Sequence, residues 1–312
     1  MGNFADRLVG AVRQRGTPVL VGLDPRFDAL PESIRRTAEN GGRAAQAHAF
    51  RVFCCGVVDA VHTLVGCVKP QAAFFEELGP PGMEALAEVI VHAREKGLQV
   101  VLDGKRNDIG STASAYANGF LGADASPWRA DAITVSPYLG GDSLEPFVDV
   151  ARQRGAGVFV LVKTSNPGGG MFQDLVADGR PLYRHVGAYV EQLASQTSGD
   201  CGYGAVGAVV GATYPEQLAE LRAEMPHTWF LVPGYGSQGA TARDVAPAFD
   251  VNGTGAIVNN SRGIIFAYAR HPYAERFGQA GWQEAIEAAA RDMIEELRAE
   301  TPAGRLTGRG AG

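Results

Sequence analysis

The chain has 312 residues, 46% of them hydrophobic, and its 41 glycines and 17 prolines are scattered between apolar runs, so it can bury a large core and is not a repeat or low-complexity protein. A formal net charge of −6 with no sustained Lys/Arg run gives no electrostatic reason to bind nucleic acid, which leaves small molecules as the expected partners. No run reaches the roughly 18 apolar residues of a membrane span. The first residues lack an apolar signal region, and Asp6 stands where a myristoylation signal needs Ser or Thr, so a cytoplasmic location is expected.

Taken in chain order, apolar runs fall at 17–24, 65–70, 98–105, 132–137, 156–165, 205–213, 228–234 and 255–261. Continuous Val, Ile and Leu runs suit strands covered on both faces. Between them, helical periodicity marks 44–63, 82–97, 143–155, 182–196, 215–224, 240–249 and 280–300. Pro215 fits a first helical position, and Gly97 and Gly155 can end helices in a left-handed conformation. Strands alternating with helices imply parallel pairing through right-handed crossovers. Eight strands with alternating helices predict an α/β fold, a (β/α)8 TIM barrel with an eight-stranded parallel barrel and surrounding helices, as one catalytic domain over 1–300. An open doubly wound sheet is the alternative.

Two segments stand outside this alternation. Residues 164–183 are too long and Gly-rich for a minimal connection, which predicts a binding loop that moves. Residues 301–312 carry too little apolar surface to order themselves and read as a flexible tail.

Barrels of this kind present their chemistry where strands run out at their C-terminal ends. Polar groups recur there: Asp24 ends the first strand, Lys69 the second, Asp103 and Lys105 the third and Ser165 the fifth, while Gly234 to Gln238 follow the seventh and Arg262 and Gly263 the eighth. Positions two apart on a strand share a face, so Asp103 and Lys105 can project together while Asp108 lies beyond in the loop. Buried charges are tolerable only when paired and hydrogen-bonded, and Lys69 can supply a second cation. An ion-pair network that merely closes the barrel is the competing reading.

The run DGKRNDIGST, 103–112, resembles the Asp-x-Lys-x-x-Asp-Ile signature of orotidine 5'-phosphate decarboxylases. The similarity extends through VGLDPR at Asp24, VKPQAAFFE at Lys69, VKTSNPG at Ser165, VPGYGSQG at Gln238 and NNSRGI at Arg262, and the wording KPQAAFFE and TSNPGG is similar to the longer, second bacterial type. The resemblance implies conversion of orotidine 5'-monophosphate to uridine 5'-monophosphate and CO2 in de novo pyrimidine biosynthesis, without a cofactor or metal. It also implies a homodimer in which Asp108 enters the partner's site to meet Lys69, Asp103 and Lys105. Loss of CO2 from C6 leaves carbanion character, which a fixed ammonium beside it stabilises in a low-dielectric site. Lys105 would supply that charge and then the proton; Asp103 would oppose the substrate carboxylate; Lys69 and Asp108 would orient Lys105.

The loops after late barrel strands often bind phosphate through backbone N–H groups and a helix N-terminus. Here Arg262 is expected as the charge partner and Gln238 as a side-chain donor, with backbone help at Gly236 and Gly263. Ser165 and Asn166 can address the pyrimidine edge, Asp24 can accept from ribose hydroxyls, and Thr112 can reach the ribose across the dimer. Each has a plainer reading as well: turn chemistry at 164–167, a cap at Asp24, and a helix cap at Thr112.

Other residues carry less. Cys54, Cys55, Cys67 and Cys201 lack ligand or disulfide spacing and read as reduced core residues. His48, His62, His92 and His185 fall in helical segments, and His227 and His271 at turns, without a shared metal spacing. Phe74 and Phe75 read as packing over the second strand end. The competing functions are a metal-dependent sugar-phosphate decarboxylase or aldolase on a related barrel, a Schiff-base aldolase disfavoured because flanking aspartates keep the amine protonated, and a non-catalytic nucleotide-binding barrel.

Overall fold

The apolar runs become eight strands: β1 (Val19–Leu23), β2 (Cys67–Pro70), β3 (Gln99–Arg106), β4 (Ala132–Val135), β5 (Gly157–Lys163), β6 (Val206–Val210), β7 (Phe230–Val232) and β8 (Ala256–Asn260). The computed structural model describes residues 2–122, 125–236 and 239–306. Each strand pairs in parallel with its sequence neighbours, and β8 pairs with β1 to close the barrel, Val19 opposite Val258. The expected (β/α)8 architecture is therefore observed. Closure leaves no strand edge and points every C-terminal strand end to one mouth.

Each strand is followed by helical structure before the next. The predicted helices are present as Gly42–Val61, Pro80–Glu95, Gly141–Arg154, Leu182–Gln196, Pro215–Glu224 and Trp282–Glu300. Gly155 ends its helix at φ 61°, and Gly97 follows another at φ 81°. The segment expected as one helix over 240–249 instead breaks into a short helix, Ala242–Val245, and a 3-10 turn, Ala246–Ala248. Pro247 explains the break, because it lacks an N–H and its ring clashes with the carbonyl four residues back.

A helix at Phe4–Arg15, not among the predicted ones, crosses the opposite end. Asn3 caps it, its Oδ1 accepting from the Ala5 N–H at 2.8 Å. Phe4 is buried edge-on against Phe159, and Gly157 at the start of β5 makes room, since a Cβ there would lie 2.2 Å from the Phe4 ring. Burying such a ring contributes about 1.5–3 kcal/mol. The floor is thus filled while the mouth remains open.

The tail expectation also needs correction. Pro302–Arg305 form a 3-10 turn capped by the Thr301 hydroxyl, and Ala303 and Leu306 are buried. The turn also packs closely on Gly253, where a Cβ would lie 2.3 Å from the Pro302 carbonyl oxygen. The rest of that segment, 307–312, lies outside the described residues. No described helix is long and apolar enough to cross a membrane.

Candidate active site

The mouth encloses a cleft of about 430 Å³ lined by groups from strands all round the barrel. Its polar wall is Asp24, Lys69, Gln71, Asp103, Lys105 and Thr134, and Leu161, Val209 and Leu231 give it an apolar side. Parallel pairing of β1 with β2, Gly22 opposite Lys69, brings Asp24 beside Lys69; the bridge between Gln71 and Asp103 aligns the next strand end.

Asp103 is the hub. Its Oδ2 accepts from Lys69 Nζ at 2.9 Å and Gln71 Nε2 at 3.0 Å; its Oδ1 accepts from Lys105 Nζ at 2.6 Å and the Thr134 hydroxyl at 2.9 Å. Asp24 Oδ1 stands 3.9 Å from Lys69 Nζ and makes no hydrogen bond among the described residues. Burial alone would raise the Asp103 pKa, but Lys69 and Lys105 outweigh it and hold the carboxyl far below the ordinary carboxylate range. Burial likewise works against the Lys69 ammonium, and Asp103 followed by Asp24 outweigh it and raise its pKa. Lys69 is sealed, with 6% of its side chain exposed, whereas 48% of the Lys105 side chain faces the cleft or solvent.

The backbone there is irregular. Leu102 pairs with Ile133 and Arg106 with Val135, so β3 spends more residues than β4 over this stretch. Lys105 takes φ 43°, a left-handed conformation unusual for a side-chain-bearing residue.

The loop after β5 contributes Thr164, Ser165 and Asn166 to the cleft. The long segment beyond is more organised than a bare loop, with a 3-10 turn at Pro167–Gly169, a short helix at Gly170–Gln173 and a two-stranded hairpin of Val176–Ala177 with Arg180–Pro181. Thr164 is held by Gln173 from both its N–H and its hydroxyl, at 3.0 and 2.8 Å. Lys163, fully buried at the end of β5, pairs with Asp174 at 2.5 Å and sits over the rings of Tyr183 and Tyr214, 5.3 and 5.2 Å from their centroids.

Not every predicted residue lines this cleft. Asp108 points to its own loop, accepting from the Ile109 N–H at 2.8 Å, and Thr112 is exposed on the helix Gly110–Phe120. Thr112 does not cap that helix, whose N-cap is Ile109 with no side-chain cap. Nor does Asp24 cap the turn at Phe27–Ala29. At the far end the lining reaches Pro233 and Asn259; Gly236, at φ 67°, follows the first, and Arg262 and Gly263 begin the short helix Arg262–Ile265 after the second. Arg262 is exposed, and the Gly263 N–H donates to Asn260 Oδ1 at 3.1 Å. Gln238 lies outside the described residues. Phe75 is buried against Phe50, as expected for packing. Gln71, Thr134 and Asn259 were not among the sequence candidates. Asn259 holds a buried Oδ1 that accepts no hydrogen bond among the described residues, and the paired asparagines ending an apolar strand were its available signal.

A closed parallel barrel whose mouth holds a Lys-Asp-Lys array, with Lys69 and Asp103 buried and Lys105 facing an open cleft, defines a small-molecule (β/α)8 enzyme. Residues 44–277 match the family described as Orotidine 5'-phosphate decarboxylase / HUMPS. An orotidine 5'-phosphate decarboxylase of Rhodopirellula baltica is 54% identical over 301 residues, 96% of this chain and all of that one, and one of Deinococcus radiodurans is 44% identical over 85% of this chain and 89% of its own. The crystal structure of a Streptomyces avermitilis protein titled putative orotidine 5'-phosphate decarboxylase superposes with TM-score 0.78 at 37% identity, covering 96% of each chain. The chain belongs to the orotidine 5'-phosphate decarboxylase family, and it is a carboxy-lyase.

Proposed function

We propose that this enzyme converts orotidine 5'-monophosphate to uridine 5'-monophosphate and CO2 in pyrimidine biosynthesis, with Lys105 as the proton donor to C6. The observation that carries the reading is the Lys69–Asp103–Lys105 array opening on the cleft. Both Asp103 oxygens already accept from ammonium groups, so the carboxylate serves to fix cations. As the bond from C6 to the carboxyl carbon breaks, its electron pair stays on C6 and CO2 departs. The Lys105 ammonium stabilises that charge and gives up a proton to it, then regains one from solvent. The Asp103 carboxylate, held ionised, faces the substrate carboxylate and disfavours its bound ground state.

In this reading Asp24 accepts from the ribose hydroxyls, Ser165 and Asn166 address the pyrimidine, and Arg262 with Gln238, Gly236 and Gly263 receives the phosphate. Residues 164–183 act as a lid. Asp108 and Thr112 act in a second subunit of a homodimer; their positions outside the cleft, beside the 54%-exposed Ile109, support that role. The protein works as a single catalytic domain in the cytoplasm.

The test is the fall in orotidine monophosphate absorbance with purified protein. Turnover by the native enzyme, largely lost in Lys105→Ala, is expected; no turnover by the native enzyme refutes the reaction. Mixing inactive Asp108→Ala and Lys105→Ala subunits should restore activity through mixed dimers. Demonstrated subunit exchange without recovery removes Asp108 from the partner's site.

A further inference from the structure

Thr134, on β4, is 1% exposed and faces the irregular stretch of β3. Where the register shifts, neither Gly104 nor Lys105 stands in register with a residue of β4, and backbone donors at such a bulge turn to other acceptors. The Thr134 hydroxyl oxygen accepts from both, at 3.1 and 2.9 Å, and donates its own hydrogen to Asp103 Oδ1 at 2.9 Å. A hydroxyl has one donor and two acceptor sites, so all three are used.

From this juxtaposition we infer that Thr134 is a positioning residue: its hydroxyl ties the Lys105 backbone to the Asp103 carboxylate and so aims the Lys105 ammonium at the reacting carbon. The inference rests on the proposed decarboxylation and adds to it a residue assigned to neither the phosphate nor the ribose. A left-handed residue persists only when its surroundings hold it there. For Lys105 the hydroxyl is that hold, and the same atom fixes the Asp103 oxygen to which Nζ reaches across 2.6 Å. Removing it takes the acceptor from two backbone donors and one of two hydrogen bonds from Asp103 Oδ1, and small misplacements of a reacting group cost large factors in rate.

The substitution that isolates the hydroxyl is Thr134→Val, which preserves branching and approximate volume. The expected result is a fall in kcat of about 10- to 100-fold, as hydrogen bonds to charged groups predict, with KM for orotidine monophosphate and Kd for uridine monophosphate within about threefold of native. Thr134→Ser, which keeps the oxygen, should return kcat to within about threefold. Native kcat in the Val variant, a loss confined to KM, or a Ser variant as slow as Val would each overturn the inference. Circular dichroism and thermal midpoints of Thr134→Val and Thr134→Ala provide the folding readout. If both fail to fold while the native enzyme is folded, Thr134 is structural and the positioning role is refuted. An inactive native enzyme would instead overturn the assigned reaction and this inference with it, a pattern distinct from an active native enzyme matched by its Val variant.

Discussion

The barrel clamps a carboxylate between two cations at each end. At the mouth Asp103 lies between Lys69 and Lys105; at the floor Asp131, immediately before β4, lies between Arg94 at 2.7 Å and Arg7 at 3.4 Å. The floor site is closed on itself. Asp131 Oδ2 accepts from the Val100 N–H at 2.9 Å, while Arg7 and Arg94 also donate to the Gly155 and Arg129 carbonyls. Planar guanidinium groups with several donors suit such fixed cross-links. The mouth site uses compact ammonium groups and leaves one of them facing a cleft. Equal charge arithmetic thus yields a cross-link in one place and, in the proposed mechanism, a reactive group in the other. The choice of cation and the presence of open space make the difference.

The largest expected effect tests that division directly. Lys105→Ala should lower turnover by at least about 10²- to 10⁴-fold, the usual weight of a general acid, with little change in thermal midpoint. Asp131→Ala should do the reverse. Leaving the Val100 N–H and two partly exposed arginines without their carboxylate should destabilise the fold by about 2–4 kcal/mol in denaturant titration, with kcat per folded molecule near native. If Asp131→Ala abolished kcat without loss of stability, the two ends would not be functionally separate.

Arg262→Ala is expected to lower kcat/KM by about 10- to 100-fold, chiefly through KM, because its proposed partner is a phosphate distant from the reacting carbon. A loss confined to kcat would place Arg262 in the charge array instead.

Stability against pH gives a smaller effect. Folding lowers the Asp103 pKa, so its contribution is complete above the unfolded value of about 4 and is lost as pH falls toward the folded value. Folding raises the Lys69 pKa, so its contribution is complete below about 10.4 and is lost as pH rises through the folded value. Between those limits the pair adds no slope. Denaturant midpoints of Asp103→Asn across pH 2–5, about the window set by those values, should show a shallower acid limb than native.

The smallest effect contrasts the two ends of β2 alone. Burial pushes the Cys67 thiol up to about 12, two residues below the Lys69 ammonium on the same strand. Iodoacetamide at pH 8 should therefore label Cys67 only after unfolding. Fast labelling of the native enzyme would mean that the strand opens locally.

Eight strands could be read from the sequence because each is a continuous apolar run, and the charged groups because Asp103 and Lys105 interrupt one of those runs at its end. Thr134 escaped the same reading. A threonine among Ala132, Ile133 and Val135 looks like an ordinary strand former, and the shift that turns its hydroxyl into a three-way junction involves another strand. The helix Gly110–Phe120 entered only as a possible cap at Thr112 and was missed by periodicity, because its buried face is Ala113, Ala117 and Phe120, which gives little hydrophobic contrast. The helix at Phe4–Arg15 was available from Asn3, Phe4, Leu8 and Val12, at capping and helical spacing. Thr112 and Asp108 fall outside the cleft, which their spacing along the chain does not reveal; the proposed homodimer accounts for their positions.

Lys163 bears on redesign. One buried ammonium answers to Asp174 and Tyr183 from the segment after β5 and to Tyr214 from the loop after β6. Those two loops therefore cannot be exchanged independently to retune specificity. Any graft must carry Lys163, Asp174, Tyr183 and Tyr214 as a unit, or exchange Lys163 for an uncharged residue in the same step.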